Sequence, residues 1–298
     1  GGVRVSKNEI ALDFTAHGAL LGETNIVGEV IKDTVKTFLL AGRYRVDENL
    51  SVYTRIASGF RPAQPNLPAI NPSTGVNVAP YIVTADKAWS YEIGVKGSSD
   101  DKMVSYEVAL WKIDWANFQS EVTYTGVSTG GNAADGLSAY GFEGSVTAHP
   151  VEAFSVTANL GYTKSTLNSD EPTLGGVGGE NYPGLPNWKG SLQWNYAFEF
   201  ISDWNGNFGG GVRHIGSSQS VFSAALTQAS VKLESRTLAD LNLGFSNGKV
   251  AVGLYATNLF NNKDIVNRDD DIIGPEMYLS SGVFERPRTI GANLRLDF

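Results

Sequence analysis

Apolar and polar residues alternate with a period of two along most of the chain, which is the pattern of β-strands with two different faces. The segment 188–200 shows it most clearly, because aromatic and aliphatic residues share one face and polar residues share the other. Its apolar face reads Trp188, Leu192, Trp194, Tyr196, Phe198 and Phe200, with Gly190 among them. The same alternation recurs at 89–96, 154–163 and 289–298. This pattern predicts an all-β fold.

The alternation predicts about a dozen strands, several of them longer than the ~5–6 residues usual in globular proteins. Such strands meet or exceed the ~9–11 residues that cross a bilayer at a tilt. We place them at 1–11, 34–46, 49–60, 87–98, 101–123, 134–148, 152–165, 186–200, 204–217, 234–247, 249–259 and 286–298.

The connections between these strands alternate between short polar turns and long segments. The short turns lie at 47–49, 98–101, 149–151, 202–203 and 247–248, the last being an Asn-Gly hairpin signal. The long segments are rich in Gly, Pro, Asn and Ser and lie at 12–33, 61–86, 124–133, 166–185, 218–233 and 260–285. Short turns at one end and long loops at the other are typical of an outer-membrane β-barrel.

The two faces of the strands indicate which environment each one meets. Aromatic residues cluster near strand ends on the apolar face, as in the two girdles at membrane interfaces. The other face carries small and polar residues that suit a water-filled lumen. Its charged members are Arg55, Arg61, Glu92, Lys96, Glu143, Lys189, Glu199, Arg213, Asp240, Arg295 and Asp297. A soluble sheet with one solvated face remains the alternative.

Composition narrows the classes further. Charged residues make up only 18% of the chain, glycine occurs 34 times and cysteine is absent. These values argue against a helical bundle and exclude disulfides and thiolate metal sites. The formal net charge of −8 lacks the basic footprint of a nucleic-acid-binding protein, so we expect no nucleic-acid partner. The first residues also lack the basic and apolar regions of a signal peptide.

The chain offers little that would support catalysis or metal binding. His17, His149 and His214 are too dispersed for a His-x-x-x-His pair, and no nucleotide-binding loop is found. The acidic run 269–271 resembles the start of a calcium loop, but Ser280 stands where the twelfth-position Glu belongs. The His-x-Ser arrangement of twelve-stranded outer-membrane phospholipases is missing as well. We therefore expect no catalytic residue, no metal site, no cofactor and no enzyme activity.

Four stretches resemble one known family, the TonB-dependent outer-membrane receptors. They are LSVYTRIASGFRP (50–62), WSYEIGVKG (89–97), LYATNLFNNK (254–263) and RPRTIG (286–291), which leads into a strand ending at Phe298. Each match is modest by itself, but their order and spacing across almost the whole chain make the set fairly specific.

The resemblance implies that residues 1–298 are the C-terminal portion of a 22-stranded transmembrane antiparallel barrel in the outer membrane of a Gram-negative bacterium. A plug domain and earlier strands would precede it, which would also explain the missing signal peptide. The implied function is energy-coupled uptake of a scarce ligand such as a ferric siderophore or a saccharide. The implied partners are the lipid bilayer, the plug domain, an energy-coupling protein and the imported ligand. Phe298 matches the position of the signal read during membrane insertion.

The long connections and strand ends contain the candidates for ligand contact, which are Arg61, Trp188, Arg213 and Tyr278. Strand-end packing explains Trp188 equally well. Two alternatives stay open, namely a complete small barrel acting as a passive pore or structural protein, and a soluble all-β binding module. A twelve-stranded portion of a larger sheet has two unpaired edges, so we expect the isolated portion to aggregate, dimerise or close abnormally.

Overall fold

The computed structural model of the protein describes residues 1–17, 24–66, 68–70, 74–124, 127–172, 174–225, 228–274 and 277–297. The regular elements of these residues are all strands. The strands are β1 (Gly2–Ala16), β2 (Thr24–Arg45), β3 (Leu50–Arg61), β4 (Gln64–Pro65), β5 (Ile82–Val83), β6 (Asp86–Ser98), β7 (Val104–Ala116), β8 (Phe118–Tyr124), β9 (Val127–Ala133), β10 (Leu137–Val151), β11 (Phe154–Leu167), β12 (Trp188–Ile201), β13 (Trp204–Ile215), β14 (Ser218–Gln219), β15 (Lys232–Leu233), β16 (Arg236–Ser246), β17 (Val250–Thr257), β18 (Ile265–Gly274), β19 (Met277–Phe284) and β20 (Thr289–Leu296).

Twelve of the strands form one antiparallel sheet in the order β1-β2-β3-β6-β7-β10-β11-β12-β13-β16-β17-β20. Each strand pairs with the next sheet strand along the chain, as expected for an up-and-down barrel wall. In the described ladder β1 and β20 each have a single neighbour, so the sheet ends in two edges. The remaining strands form separate two-stranded hairpins in the connections. The predicted all-β class and the dozen wall strands are confirmed.

Several predicted boundaries were wrong because the long connections contain strands of their own. The segment 12–33 is mostly strand, since β1 and β2 continue past a register shift between Leu12 and Phe14. The predicted strand 101–123 is broken at Asn117, whose φ of 53° turns the chain from β7 into β8. Segments 124–133 and 260–285 consist largely of hairpin strands. A bulge or a left-handed residue interrupts the period-two pattern, so alternation alone does not reveal these extensions.

The observed register assigns the predicted residues to two faces of the sheet. Arg55 pairs with Glu92, and Glu92 pairs with Trp111, so the three side chains lie on one face, which we call the polar face. Ile93, one residue further on, pairs with Thr54 and Leu110 on the opposite, apolar face. The charged residues predicted for the lumen side within the strands fall on the polar face in the same register.

Aromatic side chains form two bands on the apolar face. The loop-side band lies toward the long connections and contains two groups of rings in contact, Phe38, Trp89 and Tyr91 in one and Phe142, Tyr162 and Trp188 in the other. The turn-side band contains Tyr196, Phe198, Phe200 and Phe245. On β12, Trp188 and Phe200 are about 40 Å apart along the strand at ~3.3 Å per residue. A tilt of ~40° reduces this to roughly 30 Å of height, which matches a hydrocarbon layer.

Many aromatic rings lie over a glycine on the neighbouring strand. The directly paired examples are Tyr53 with Gly94, Tyr106 with Gly97, Trp111 with Gly141, Trp194 with Gly210, Phe198 with Gly206 and Tyr255 with Gly291. A Cβ at Gly94 would stand 2.5 Å from the Tyr53 ring, so the ring needs the missing side chain. At these six positions the glycine makes room for the aromatic ring of the neighbouring strand.

Candidate functional site

A hollow of about 850 Å³ lies on the polar face between β3 and β13, below the connection that leads into β12. Small residues open this space. Ala109 and Gly161 flank Glu143 in one cross-strand row, and Gly161 separates Glu143 from Lys189. Leu185, Pro186 and Asn187 close the hollow toward the long connections. The hollow is therefore a feature of the wall that faces the lumen.

The charges around the hollow are divided between its two sides. One side carries Glu92, Glu107 and Glu143, and the other carries Lys189 and Arg213. Opposite charges that face each other across an open space can orient a polar ligand or a polar segment of another domain.

Hydrogen bonds fix the acidic side. The Tyr53 hydroxyl donates to Glu92 Oε1 at 2.7 Å and lies 3.4 Å from Glu107 Oε1. Lys96 Nζ lies 2.6 Å from the same Glu107 oxygen and 5.2 Å from the centre of the Tyr53 ring. The basic side is held less tightly, because Arg213 Nη1 is 3.9 Å from Asp240 Oδ2 and about half of its side chain is exposed. Arg213 is therefore available to a ligand.

An apolar core lies among the long connections at the mouth of the wall, and we call it the mouth core. It consists of Phe118, Ala133, Leu137, Ala139, Leu167, Leu174 and Phe222. Phe118, Tyr182 and Phe222 make edge-to-face contacts at 5.3 and 5.6 Å, which join three separate connections. Glu180 also accepts hydrogen bonds from the backbone and hydroxyl of Ser223. These contacts preorganise this side of the mouth.

Arg61 anchors the long connection between β3 and β6 to this mouth. Its guanidinium donates to the carboxylate of Asp86, from Nε at 2.7 Å and also from Nη2, and Nη2 donates to the Gln119 carbonyl at 2.8 Å. The guanidinium also lies 4.7 Å from the Trp115 ring and 5.0 Å from the Phe118 ring. Asp86 is fully buried and accepts from the backbone N–H groups of Arg61 and Gln119 as well. Arg61 is thus committed to holding β3, β6 and β8 together.

Asn258 anchors the last long connection in a comparable way. It has a φ of 48° and is buried, and its backbone N–H donates to Asp240 Oδ1 at 2.8 Å. Its side-chain amide donates to the carbonyls of Asn262 and Arg286, both at 2.8 Å. Asn258, in the stretch LYATNLFNNK, therefore joins β16 and β17 by hydrogen bonds to the segment before β20.

The ligand candidates named from the sequence occupy different places. Arg213 lines the hollow, and Arg61 lies in the anchor described above. Trp188 lies on the apolar face, in contact with Phe142 and Tyr162, which fits the packing explanation. Tyr278 belongs to β19 by its backbone, but its side chain lies outside the described residues, as does the whole of Phe298. Ligand contact by these residues stays a prediction.

Sequence reasoning missed Tyr53, Glu107 and the mouth core. Glu107 was detectable, because it alternates with Tyr106 and Val108 and so belongs to the polar face of β7. The pairing of Tyr53 with Glu92 depends on the register between β3 and β6, which no local pattern reveals. The mouth core brings together residues from separate connections whose sequences show no periodicity.

Comparison with known proteins identifies the family to which this twelve-stranded sheet belongs. Residues 1–259 match the family described as TonB dependent receptor-like, beta-barrel. The pesticin receptor of Yersinia enterocolitica is 31% identical over 134 residues, which are 45% of this chain and 18% of that protein. The ferric yersiniabactin uptake receptor of Yersinia pestis superposes with a TM-score of 0.78 at 18% identity, covering 99% of this chain and 42% of that one.

A siderophore receptor of Acinetobacter baumannii gives a TM-score of 0.70 at 16% identity, covering 98% of this chain and 39% of that one. At these identities the superpositions show the fold alone, and the chain spans less than half the length of the relatives it matches. The family assignment rests on the match over residues 1–259, which is most of the chain. The chain therefore belongs to the TonB-dependent receptor-like β-barrel family.

Proposed function

We propose that this chain forms part of the wall of an outer-membrane receptor that takes up a ferric siderophore into a Gram-negative bacterium. The family match over residues 1–259 carries the proposal. The names of similar proteins, among them a ferric yersiniabactin uptake receptor and a ferripyoverdine receptor of the outer membrane, favour a ferric siderophore over a saccharide. The proposed activity is binding and passage of a ligand, without chemical conversion.

We further propose that residues 1–298 are the C-terminal portion of a larger barrel whose remainder includes a plug domain. The coverage of 42% of a solved relative supports this division. In that arrangement the energy-coupling protein acts through the plug, the lipid bilayer surrounds the apolar face, and the imported ligand passes the polar face.

The hollow supplies the proposed ligand contacts of this portion. Lys189 and Arg213 offer cationic donors to carboxylate, phenolate or hydroxamate oxygens of a ferric complex. Glu143, across Gly161 from Lys189, repels a ligand that carries excess negative charge at that position. Glu143, Lys189 and Arg213 are exposed to solvent, whereas the residues of the mouth core are buried.

Growth and transport assays test the proposal. Deletion of the full-length gene should abolish growth on one ferric siderophore under iron limitation, and the intact gene should restore growth together with uptake of radiolabelled iron. The double variant K189A/R213A should raise the half-saturating ligand concentration about tenfold or more, as expected for the loss of charge-assisted hydrogen bonds. Lys249→Ala, in the short turn between β16 and β17, serves as the matched control.

Unchanged siderophore use after gene deletion would contradict the proposed uptake. Growth loss on a saccharide instead would assign the other ligand class. Uptake that persists without the membrane energy source would favour a passive pore.

A further inference from the structure

Lysines follow the loop-side aromatic band along the apolar face. Lys36 lies two residues beyond Phe38, and Lys87 lies two residues beyond Trp89, in each case toward the long connections. Lys164 has the same relation to Tyr162 on β11. Two residues of strand correspond to ~6–7 Å, so each of these three lysines branches from the strand about that far beyond an aromatic residue on the same face. Lys7, beyond Val5 on β1, extends the row to the sheet edge. We call Lys7, Lys36, Lys87 and Lys164 the lysine row.

The lysine row is not neutralised by neighbouring carboxylates. Two other lysines at this level have acidic partners, Lys32 with Glu9 at 3.4 Å and Lys112 with Asp114 at 2.9 Å. Among the residues that the structure describes, the four members of the row form no ion pair, and Lys7, Lys36 and Lys87 are exposed. The chain as a whole has a net charge of −8, whereas this row is a local patch of positive charge.

The position of the row is set by the apolar surface below it. Between the two aromatic bands, the outward positions of the described strands carry no charged residue. Rings of this kind mark the boundary between hydrocarbon and headgroups. A lysine just beyond them places its aliphatic stem along the apolar surface and its ammonium group among the headgroups.

We propose that the lysine row is a binding site for anionic phosphate headgroups of lipids in the adjoining leaflet. Ammonium groups bind phosphate as compact point charges, and unpaired lysines near a membrane surface attract anionic lipid. The rings below Lys36, Lys87 and Lys164 supply the contact for the acyl chains of the same lipid. The proposal requires the sheet to lie in a membrane and is independent of which ligand is transported.

Fluorescence quenching tests this site. The full-length receptor is placed in phosphatidylcholine vesicles that contain either brominated phosphatidic acid or brominated phosphatidylcholine. Trp89 lies two residues from Lys87 on the lipid-facing side, so the part of the quenching that disappears in the variant Trp89→Phe reports the lipid bound there. We expect at least about threefold preferential quenching by phosphatidic acid. The variant K7Q/K36Q/K87Q/K164Q should reduce that preference to near one.

Two comparisons separate the site from general effects of charge and folding. The polar-face variant K96Q/K189Q removes lysine charge from the opposite face of β6 and β12 and should keep the preference of the unaltered receptor. Quenching by brominated phosphatidylcholine checks folding, and Lys87→Gln alone should give an intermediate preference if the quadruple variant does not fold.

Equal quenching by both lipids in the unaltered receptor would overturn the proposal, as would an unchanged preference in the quadruple variant. A tenfold excess of inorganic phosphate over phosphatidic acid distinguishes the source of the phosphate. The preference should survive this excess, because the aromatic contacts retain the lipid. Loss of the preference would show a free-phosphate site and contradict the lipid assignment.

Discussion

Arg61 shows how one residue can look like a ligand contact in sequence and serve as an anchor in the fold. A glycine-aromatic-arginine segment at a loop entry offers an exposed cation, which made Arg61 a candidate. The folded chain surrounds the guanidinium with a buried carboxylate, a backbone carbonyl and two aromatic rings. The hydrogen bonds and ring contacts of this guanidinium therefore stabilise the protein itself, and they hold the connection after β3 in place.

Replacing Arg61 by alanine should loosen the mouth, because Asp86 then loses the cation that balances its buried charge. We expect the local opening free energy around residues 84–86 and 118–119 to fall by about 1–3 kcal/mol. Hydrogen exchange followed by mass spectrometry measures this change. Arg213→Ala is the control, since its half-exposed guanidinium lies 3.9 Å from Asp240 and should change local stability by less than about 1 kcal/mol. If Arg61→Ala leaves hydrogen exchange unchanged but weakens ligand binding, Arg61 contacts the ligand and is not an anchor of the mouth.

Asn258 combines two contributions that substitution can separate. Alanine loses the three side-chain hydrogen bonds, two donated by the amide and one accepted from the Asn262 N–H, and must also adopt a φ of 48°, so stability should fall by about 2–3 kcal/mol. Glycine loses the hydrogen bonds but tolerates that φ, so it should recover about 1 kcal/mol of the loss. Thermal unfolding of the full-length receptor measures both variants. Full recovery with glycine would mean that only the backbone conformation matters.

At the scale of elements, the contact between Tyr53 and Gly94 links β3 to β6. Gly94→Ala places a methyl group against the Tyr53 ring and should destabilise the wall by about 1–3 kcal/mol, since the ring must move away from Glu92. Gly144→Ala is the matched control, because the nearest atoms to its new Cβ are 4.0 Å away. That change should leave stability equal or slightly higher. Urea unfolding measures the stability of both variants. Equal destabilisation by the two changes would contradict the proposed effect of the ring contact.

The hairpin of β18 and β19 should respond to acid through Asp270. The Ser280 hydroxyl and the Arg268 guanidinium hold the pKa of Asp270 below its usual value of 3.8. A lowered folded-state pKa stabilises the hairpin above the unfolded-state pKa, and this contribution is lost as pH falls through the folded-state value. The hydrogen-exchange protection of residues 265–284, taken relative to the intrinsic exchange rate at each pH, should therefore fall below about pH 3.8. Asp270→Asn should remove that step, and a step that persists in the variant would assign it to another group.

Some strands could be predicted from their sequences and others could not. Strands such as β12 were predictable, because lipid or water on each face imposes strict alternation over the whole length of the strand. The hairpin of β18 and β19 was not, since a strand outside the wall has no fixed environment on either face. The hollow was half predictable: its charges followed from alternation, but its depth depends on Ala109 and Gly161 sharing a row.

At the scale of the whole molecule, the two edges decide how the 298-residue chain behaves alone. β1 and β20 each offer one unpaired side in the described ladder, and backbone groups without partners are costly in lipid. We expect the isolated chain to aggregate or dimerise in detergent, and the full-length receptor to sediment as a defined species. Analytical ultracentrifugation makes the comparison. A stable monomer with β1 hydrogen-bonded to β20 would support a complete small barrel instead.

The contact between an aromatic ring and a cross-strand glycine also has a consequence for how the family diverges. Neither partner can change freely, because any side chain at Gly94 displaces the ring of Tyr53. A smaller residue at position 53, by contrast, leaves room for a larger one at position 94. The two positions should therefore covary among homologues, with the ring on either strand. Exchange of this kind lets a wall keep its register while its residues are replaced.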